Sequence, residues 1–236
     1  MKNNRITAII VGVLFIIGTA SGILSAVLTG SILGSPDYLV QVAANETQMI
    51  TGAFFVLLMG LSLAMVPVMM FPIFKKQNEA LALGTVVFRG PLEAATYILM
   101  VVSWLLLIVV SQEFANVDAQ VASQFQALGA ILLKANEMIN PVLEIVFSLG
   151  ALMFYTLFYQ SRLIPRWLSG WGLIGTVVYL ATGVMAMFRI DMSFLLALLG
   201  LQEMVMALWL IFKGFDPSAA IFGTVLDSKR SVAVQH

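Results

Sequence analysis

Long apolar stretches alternate along the chain with short polar breaks. Ile6 to Leu33, Thr47 to Phe74, Ala80 to Ser111, Pro141 to Tyr159, Leu168 to Phe188 and Met192 to Phe212 each read as helix at 1.5 Å per residue. Their lengths suit a hydrocarbon core of about 30 Å. The pattern predicts an all-α integral membrane bundle of six transmembrane helices over residues 1–213, followed by a short tail over 214–236. The first run is too long for the apolar segment of a cleavable signal peptide, so it is read as an uncleaved span. Gly12, Gly18 and Gly22, with Ser21 and Ser25, give that span a small-residue face suited to close helix packing. Pro67 and Pro72 each remove a backbone donor from the last turns of the second span and predict a kink there.

Between the third and fourth runs the periodicity changes. Val117, Val121, Phe125, Leu128, Leu132 and Ala135 recur at spacings of three and four, with Gln120, Gln124 and Gln126 on other faces. This predicts an amphipathic helix over residues 118–135, lying on the membrane surface or covering the bundle. Asn140-Pro141 reads as the start of a new helix, with proline at its first position.

The third run is the anomalous one. From Asn78 to Ser111 it makes a helix of about 50 Å, well beyond the hydrocarbon thickness. Either the helix tilts steeply, or its first turns lie at the interface and the chain breaks at Gly90-Pro91. The same run carries Arg89 and Glu93, four residues apart and so on one helix face. Charge at bilayer depth costs a few kcal/mol and faces protein or water with a partner, so this pair points to the interior of the bundle. Gln202 and Glu203 place a second carboxylate near the middle of the sixth span. Arg89, Glu93, Gln202 and Glu203 are the candidate site for a small ligand or a proton. A structural ion pair is the competing reading. Glu137, Asn140 and Glu144, at i, i+3 and i+7, form a candidate outer mouth, or simply a solvated helix end.

Composition narrows the chemistry. With 61% hydrophobic and 10% charged residues the chain lies far from the soluble average, where about a quarter of residues are charged. No cysteine is present, which removes disulfides, thiol catalysis and Cys-ligated metals; the single histidine, His236, removes histidine-based metal sites and general-base catalysis from the spans. No cofactor and no metal is implied. The 14 methionines form no paired pattern and read as core filler. Zero net charge argues against a nucleic-acid partner.

Charge distribution orients the bundle. Lys2, Arg5, Lys75, Lys76, Arg162, Arg166, Lys213, Lys229 and Arg230 fall on one side of the alternation, against Lys134 and Arg189 on the other. By the positive-inside rule both termini are cytoplasmic and the amphipathic helix is extracytoplasmic. Arg162 and Arg166 with Trp167 and Trp171 read as interfacial anchors, so membrane lipids are the expected surroundings.

Three stretches carry a family resemblance: NEALALGTVVFR followed by Glu93, RLIPRWLSGWGLIG from Arg162 to Gly175, and LQEMVMALWLIFKGF from Leu201 to Phe215. Together they resemble a bacterial family of small integral membrane proteins catalogued as domain of unknown function 4386, over most of residues 5–215. Gly90-Pro91 departs from the family pattern, in which an aliphatic pair is commoner. The resemblance implies a six-helix membrane protein and no defined activity.

Three functional classes follow. The first is a carrier or receptor for a small ligand or proton, whose two three-helix halves would have opposite topology. The second is a non-catalytic module such as a sensor, a subunit or a resistance or immunity protein. The third, a lipid-modifying enzyme, lacks a G-x-S-x-G elbow and a histidine base. Homo-oligomerisation is left open.

Overall fold

The computed structural model describes residues 2–219 together with 221 and 222. Lys229, Arg230, His236 and most of the expected tail lie outside the described residues. The helices are α1 (Lys2–Leu33), α2 (Tyr38–Ala44), α3 (Glu46–Phe74), α4 (Glu79–Val87), a π-helical turn (Phe88–Leu92), α5 (Glu93–Asn116), α6 (Ala119–Ser161) and α7 (Arg166–Met187), then a 3-10 turn (Ser193–Leu196) leading into α8 (Ala197–Phe212). Among the described residues six helices are long and apolar enough to cross a membrane, the number expected. They form a ring in chain order, each packed on its neighbours in sequence, with α8 closing back onto α1.

Closure of that ring is built from small residues and one arginine. Gly12 of α1 lies against the Ala207 carbonyl and Ile211 of α8, so close that a Cβ there would meet the carbonyl oxygen at 2.6 Å. Arg5 donates to the carbonyls of Leu210 (3.2 Å), Ile211 (2.6 Å) and Phe212 (3.1 Å), acceptors that the end of a helix leaves unpaired. Arg5→Gln is expected to lower stability by about 1–2 kcal/mol, less than a fully buried charged hydrogen bond because the site is partly open to solvent. Lys213→Gln is the control. The measurement is the melting temperature of the two variants in detergent.

Lys75, Arg162 and Arg166 join Arg5 at this end of the bundle. There Lys75 lies 5.7 Å over the Phe71 ring and Arg166 5.2 Å over Tyr159, while Trp167 and Trp209 meet edge to face. Trp171 is half-buried and donates its indole N–H to the Leu198 carbonyl at 3.2 Å, which ties α7 to α8. The first residues after α8 also pack here: Asp216 N–H donates to the Leu163 carbonyl, and Phe215, Ala219 and Ile221 are buried. Asp216 sits outside the spans, and its carboxyl is held below the usual range by the Ser218 hydroxyl and N–H.

Two sequence expectations change. Pro141 does not start a helix, because α6 runs unbroken for 43 residues from Ala119 to Ser161. The amphipathic stretch 118–135 is helical, but it is the first half of the fourth spanning helix and not a separate element. A proline inside a membrane helix forfeits one backbone bond, a loss that packing against neighbours offsets. At about 65 Å, α6 overshoots a hydrocarbon core of about 30 Å. Its first half runs beside α5, where Ser103 donates to the Leu132 carbonyl (3.1 Å) and Asn136 to that of Met100 (3.3 Å). The unforeseen helix α2 fills the crook beside them, with Leu39 and Tyr38 against Gly129. The second span keeps its expected extent, α3 running through Pro67 and Pro72 to Phe74.

The second change concerns the long run from residue 79. Of the two arrangements expected for it, the break at Gly90-Pro91 with interfacial first turns does not occur. Asn78 caps α4 by accepting from Leu81 N–H (3.0 Å), and Ala82 and Thr85 are buried, so the first turns belong to the bundle. At Gly90-Pro91 the helix does not break; it widens into a single π turn. Proline lacks the N–H that an α-turn needs and clashes with the carbonyl four residues back, and a wider turn relieves both.

Candidate functional site

The π turn carries Arg89 into the middle of the ring, where the side chain is 0% exposed and Glu93 is 1% exposed. Close approach of α6 makes this placement. A Cβ on Gly150 would come 2.5 Å from Arg89 Cγ and 3.0 Å from its backbone nitrogen, so only glycine lets the two backbones meet here. Single π turns recur at functional sites in helices, and this one bears the most deeply buried charge among the described residues.

Around the guanidinium the groups come from four different elements. Arg89 Nε donates to Glu93 Oε2 at 3.3 Å, and Nη1 lies 3.6 Å from Glu203 Oε1 of α8. Tyr155 of α6 donates to Gln202 Oε1 (2.7 Å) and reaches Glu203 Oε1 at 3.5 Å, while Gln202 donates its amide to the Leu168 carbonyl in the first turn of α7 (3.0 Å). Tyr97, one turn after Glu93, donates to Glu93 Oε1 at 3.5 Å. Three ring faces complete the shell: Phe147 at 4.5 Å, Phe154 at 5.5 Å and Phe15 at 5.6 Å from the guanidinium carbon. Toward the basic end, Phe74, Phe154 and Phe158 meet mutually edge to face at 4.9–5.4 Å and plug the bundle.

One cation therefore serves two carboxylates, and serves neither fully. The Glu93 contact is a single long hydrogen bond and the Glu203 contact exceeds hydrogen-bond distance, while Nη1 and Nη2 make no hydrogen bond within the described residues. A well-made Arg–carboxylate pair is bidentate at 2.7–2.9 Å. Cation–π attraction to three rings contributes where hydrogen bonds are missing, at about 1–2 kcal/mol per good face in a desolvated setting. Two surface depressions, one lined by Val68, Phe71, Leu83 and Val86 and the other by residues 43–48, both lie away from this centre.

Arg89, Glu93, Gln202 and Glu203 are thus brought together, as the apolar runs around them suggest. The expected outer mouth is not assembled. Glu137 is exposed and paired with Lys134 at 2.6 Å, Asn140 is exposed, and Glu144 turns inward, 8% exposed, against Gly183 of α7. Sequence reading missed Tyr155, Tyr97 and Phe147. Tyr97 had a usable signal, since it follows Glu93 by one turn. A pattern links four of the interior side chains: Arg89 packs on Gly150, Tyr97 on Gly60, Tyr155 on Gly172 and Glu144 on Gly183, each facing a glycine of another helix.

Fold and site together define a class: a six-span, multi-pass α-helical membrane protein with a buried Arg–Glu centre. The chain belongs to the family described as Domain of unknown function (DUF4386), whose model matches residues 10–214. No match was found among curated proteins or among solved structures.

Proposed function

We propose that this is a proton-binding membrane protein of the carrier or receptor kind, in which the Arg89–Glu93–Glu203 centre takes up and releases one proton as the bundle changes shape around a small ligand. The observation that carries the reading is the charge imbalance of the centre. Two carboxylates face a single guanidinium in a water-poor interior, so the centre is neutral only with one proton bound, shared between groups that cannot both ionise cheaply. Tyr97 reaches Glu93 and Tyr155 reaches Glu203, so each carboxylate has a hydroxyl that can follow a proton moving between them. A proton needs no cavity, which accords with the packing.

The basic residues gathered at one end of the bundle support a reading in which both termini face the cytoplasm of a bacterial inner membrane. A non-catalytic module is the second reading, and the close aromatic packing of the centre favours it. The two are separated by counting protons. With purified protein in lipid nanodiscs, a pH jump monitored by an indicator dye is expected to show uptake of one proton per chain that Glu203→Gln abolishes. Uptake unchanged in Glu203→Gln and in Glu93→Gln, with only the melting temperature shifted, makes the centre a packing device.

A further inference from the structure

Glu144 is a third carboxylate turned inward, and no cation among the described residues neutralises it. Its Oε2 has no hydrogen-bond partner although the residue is 8% exposed, and no lysine or arginine among the described residues pairs with it. The groups that face it are few. On its own helix Lys134 lies nearly three turns away and is engaged by Glu137 at 2.6 Å. From α7 come Gly183, packed on the Glu144 side chain, and Tyr179 one turn earlier. From the loop after α7 comes the exposed Asp191, a like charge. Arg89 of the π turn pairs with Glu93 and Glu203 and not with Glu144, and Phe147 lies three residues on from Glu144 along α6. The Phe147 ring has the Arg89 guanidinium 4.5 Å from its centre and the Tyr179 ring at 4.9 Å.

An ionised carboxylate left without a partner beside apolar side chains is disfavoured, and the neutral acid is the less costly form. We propose that Glu144 carries a proton and is the station through which the Arg89 centre exchanges protons with the end of the bundle opposite the basic end, with Phe147 as the apolar gate between the two. The basic end is closed to this traffic by Phe74, Phe154 and Phe158. When Phe147 swings aside and water enters, the Glu144 O–H bond breaks, the proton passes along the water, and an O–H bond forms on the ionised Glu93 or Glu203. Glu144 is left as the carboxylate, to be reprotonated from its own end. The relay rests on the proton-binding reading of the Arg89 centre; the protonation of Glu144 stands apart from it.

The test is infrared difference spectroscopy of the full chain in vesicles of phosphatidylcholine and phosphatidylglycerol, following the carbonyl stretch of protonated carboxylic acids and its exchange into heavy water. The unaltered protein is expected to show two such bands. Glu144→Gln and Glu144→Leu each remove one; the second variant fills the site with an apolar side chain and folds even if the amide does not. Glu203→Gln removes the other. Phe147→Ala is expected to speed deuterium exchange of the Arg89-centre band by about tenfold or more, while Phe147→Leu, which keeps an apolar side chain there, leaves it near the original rate. Bands untouched by both Glu144 variants would overturn the assignment of a proton to Glu144. An exchange rate unmoved by Phe147→Ala would overturn the gate. A missing centre band beside an intact Glu144 band would sink the function proposed for the centre and the relay with it, while leaving Glu144 as a proton-holding acid.

Discussion

Arg89→Met is expected to destabilise the protein by about 3–5 kcal/mol at neutral pH, the cost of leaving buried charge without its partner. Methionine fills a similar volume, so the loss measures charge more than packing. Two carboxylates would then share the interior, at 1% and 13% exposure, with no cation within reach. Protonating a carboxyl removes its charge, so the deficit should shrink as the pH is lowered toward 5. The triple variant Arg89→Met, Glu93→Gln, Glu203→Gln removes all three charges and should recover most of the stability. Arg89→Lys is expected to fall between, because an ammonium keeps the charge but lacks the flat face that stacks on Phe147. Unfolding in mild detergent at neutral and acidic pH checks the series. A loss that is the same at both pH values, and not recovered in the triple variant, means that packing and not charge governs the site.

The second large effect is expected at Gly150. Placing even a methyl there sets it 2.5 Å from Arg89 Cγ, 2.9 Å from Phe88 Cβ and 3.0 Å from a backbone nitrogen, so α6 and the π turn must move apart. Gly150→Ala should cost about 1–3 kcal/mol, as overpacked interiors do, and Gly150→Leu more. Either shift draws Arg89 away from Glu203, whose contact is already 3.6 Å, so proton uptake at the centre should fall together with stability. Gly30 is the control. It lies in α1 with nothing within 4 Å of an added Cβ, and alanine there should stabilise the helix by about 0.5–1 kcal/mol. The contrast separates glycine used for contact from glycine that merely occurs in a helix.

Much of the molecule is legible in the chain because bilayer physics is one-dimensional. A run either is or is not apolar over some 20 residues, and α1, α3, α7 and α8 fall where the runs place them. A charge inside such a run must turn inward, which is why Arg89, Glu93 and Glu203 are identifiable without coordinates. The misplaced boundary at Pro141 came from a local rule overridden by packing: α5 and α2 hold the first half of α6 in line with the second.

The sequence by itself determined the class, the number of spans, the gathering of basic residues at one end and the identity of the buried ions, because each depends on the solvation of single side chains or short runs. Only the tertiary structure decided which carboxylates share Arg89, that Tyr155 and Gln202 join them, that Gly90-Pro91 widens the helix without breaking it, and that Glu144 faces Gly183 and not the outer mouth. Those outcomes depend on how far each helix is rotated and slid against its neighbours. Small residues and aromatic rings from distant parts of the chain set that rotation jointly, and no local pattern records it.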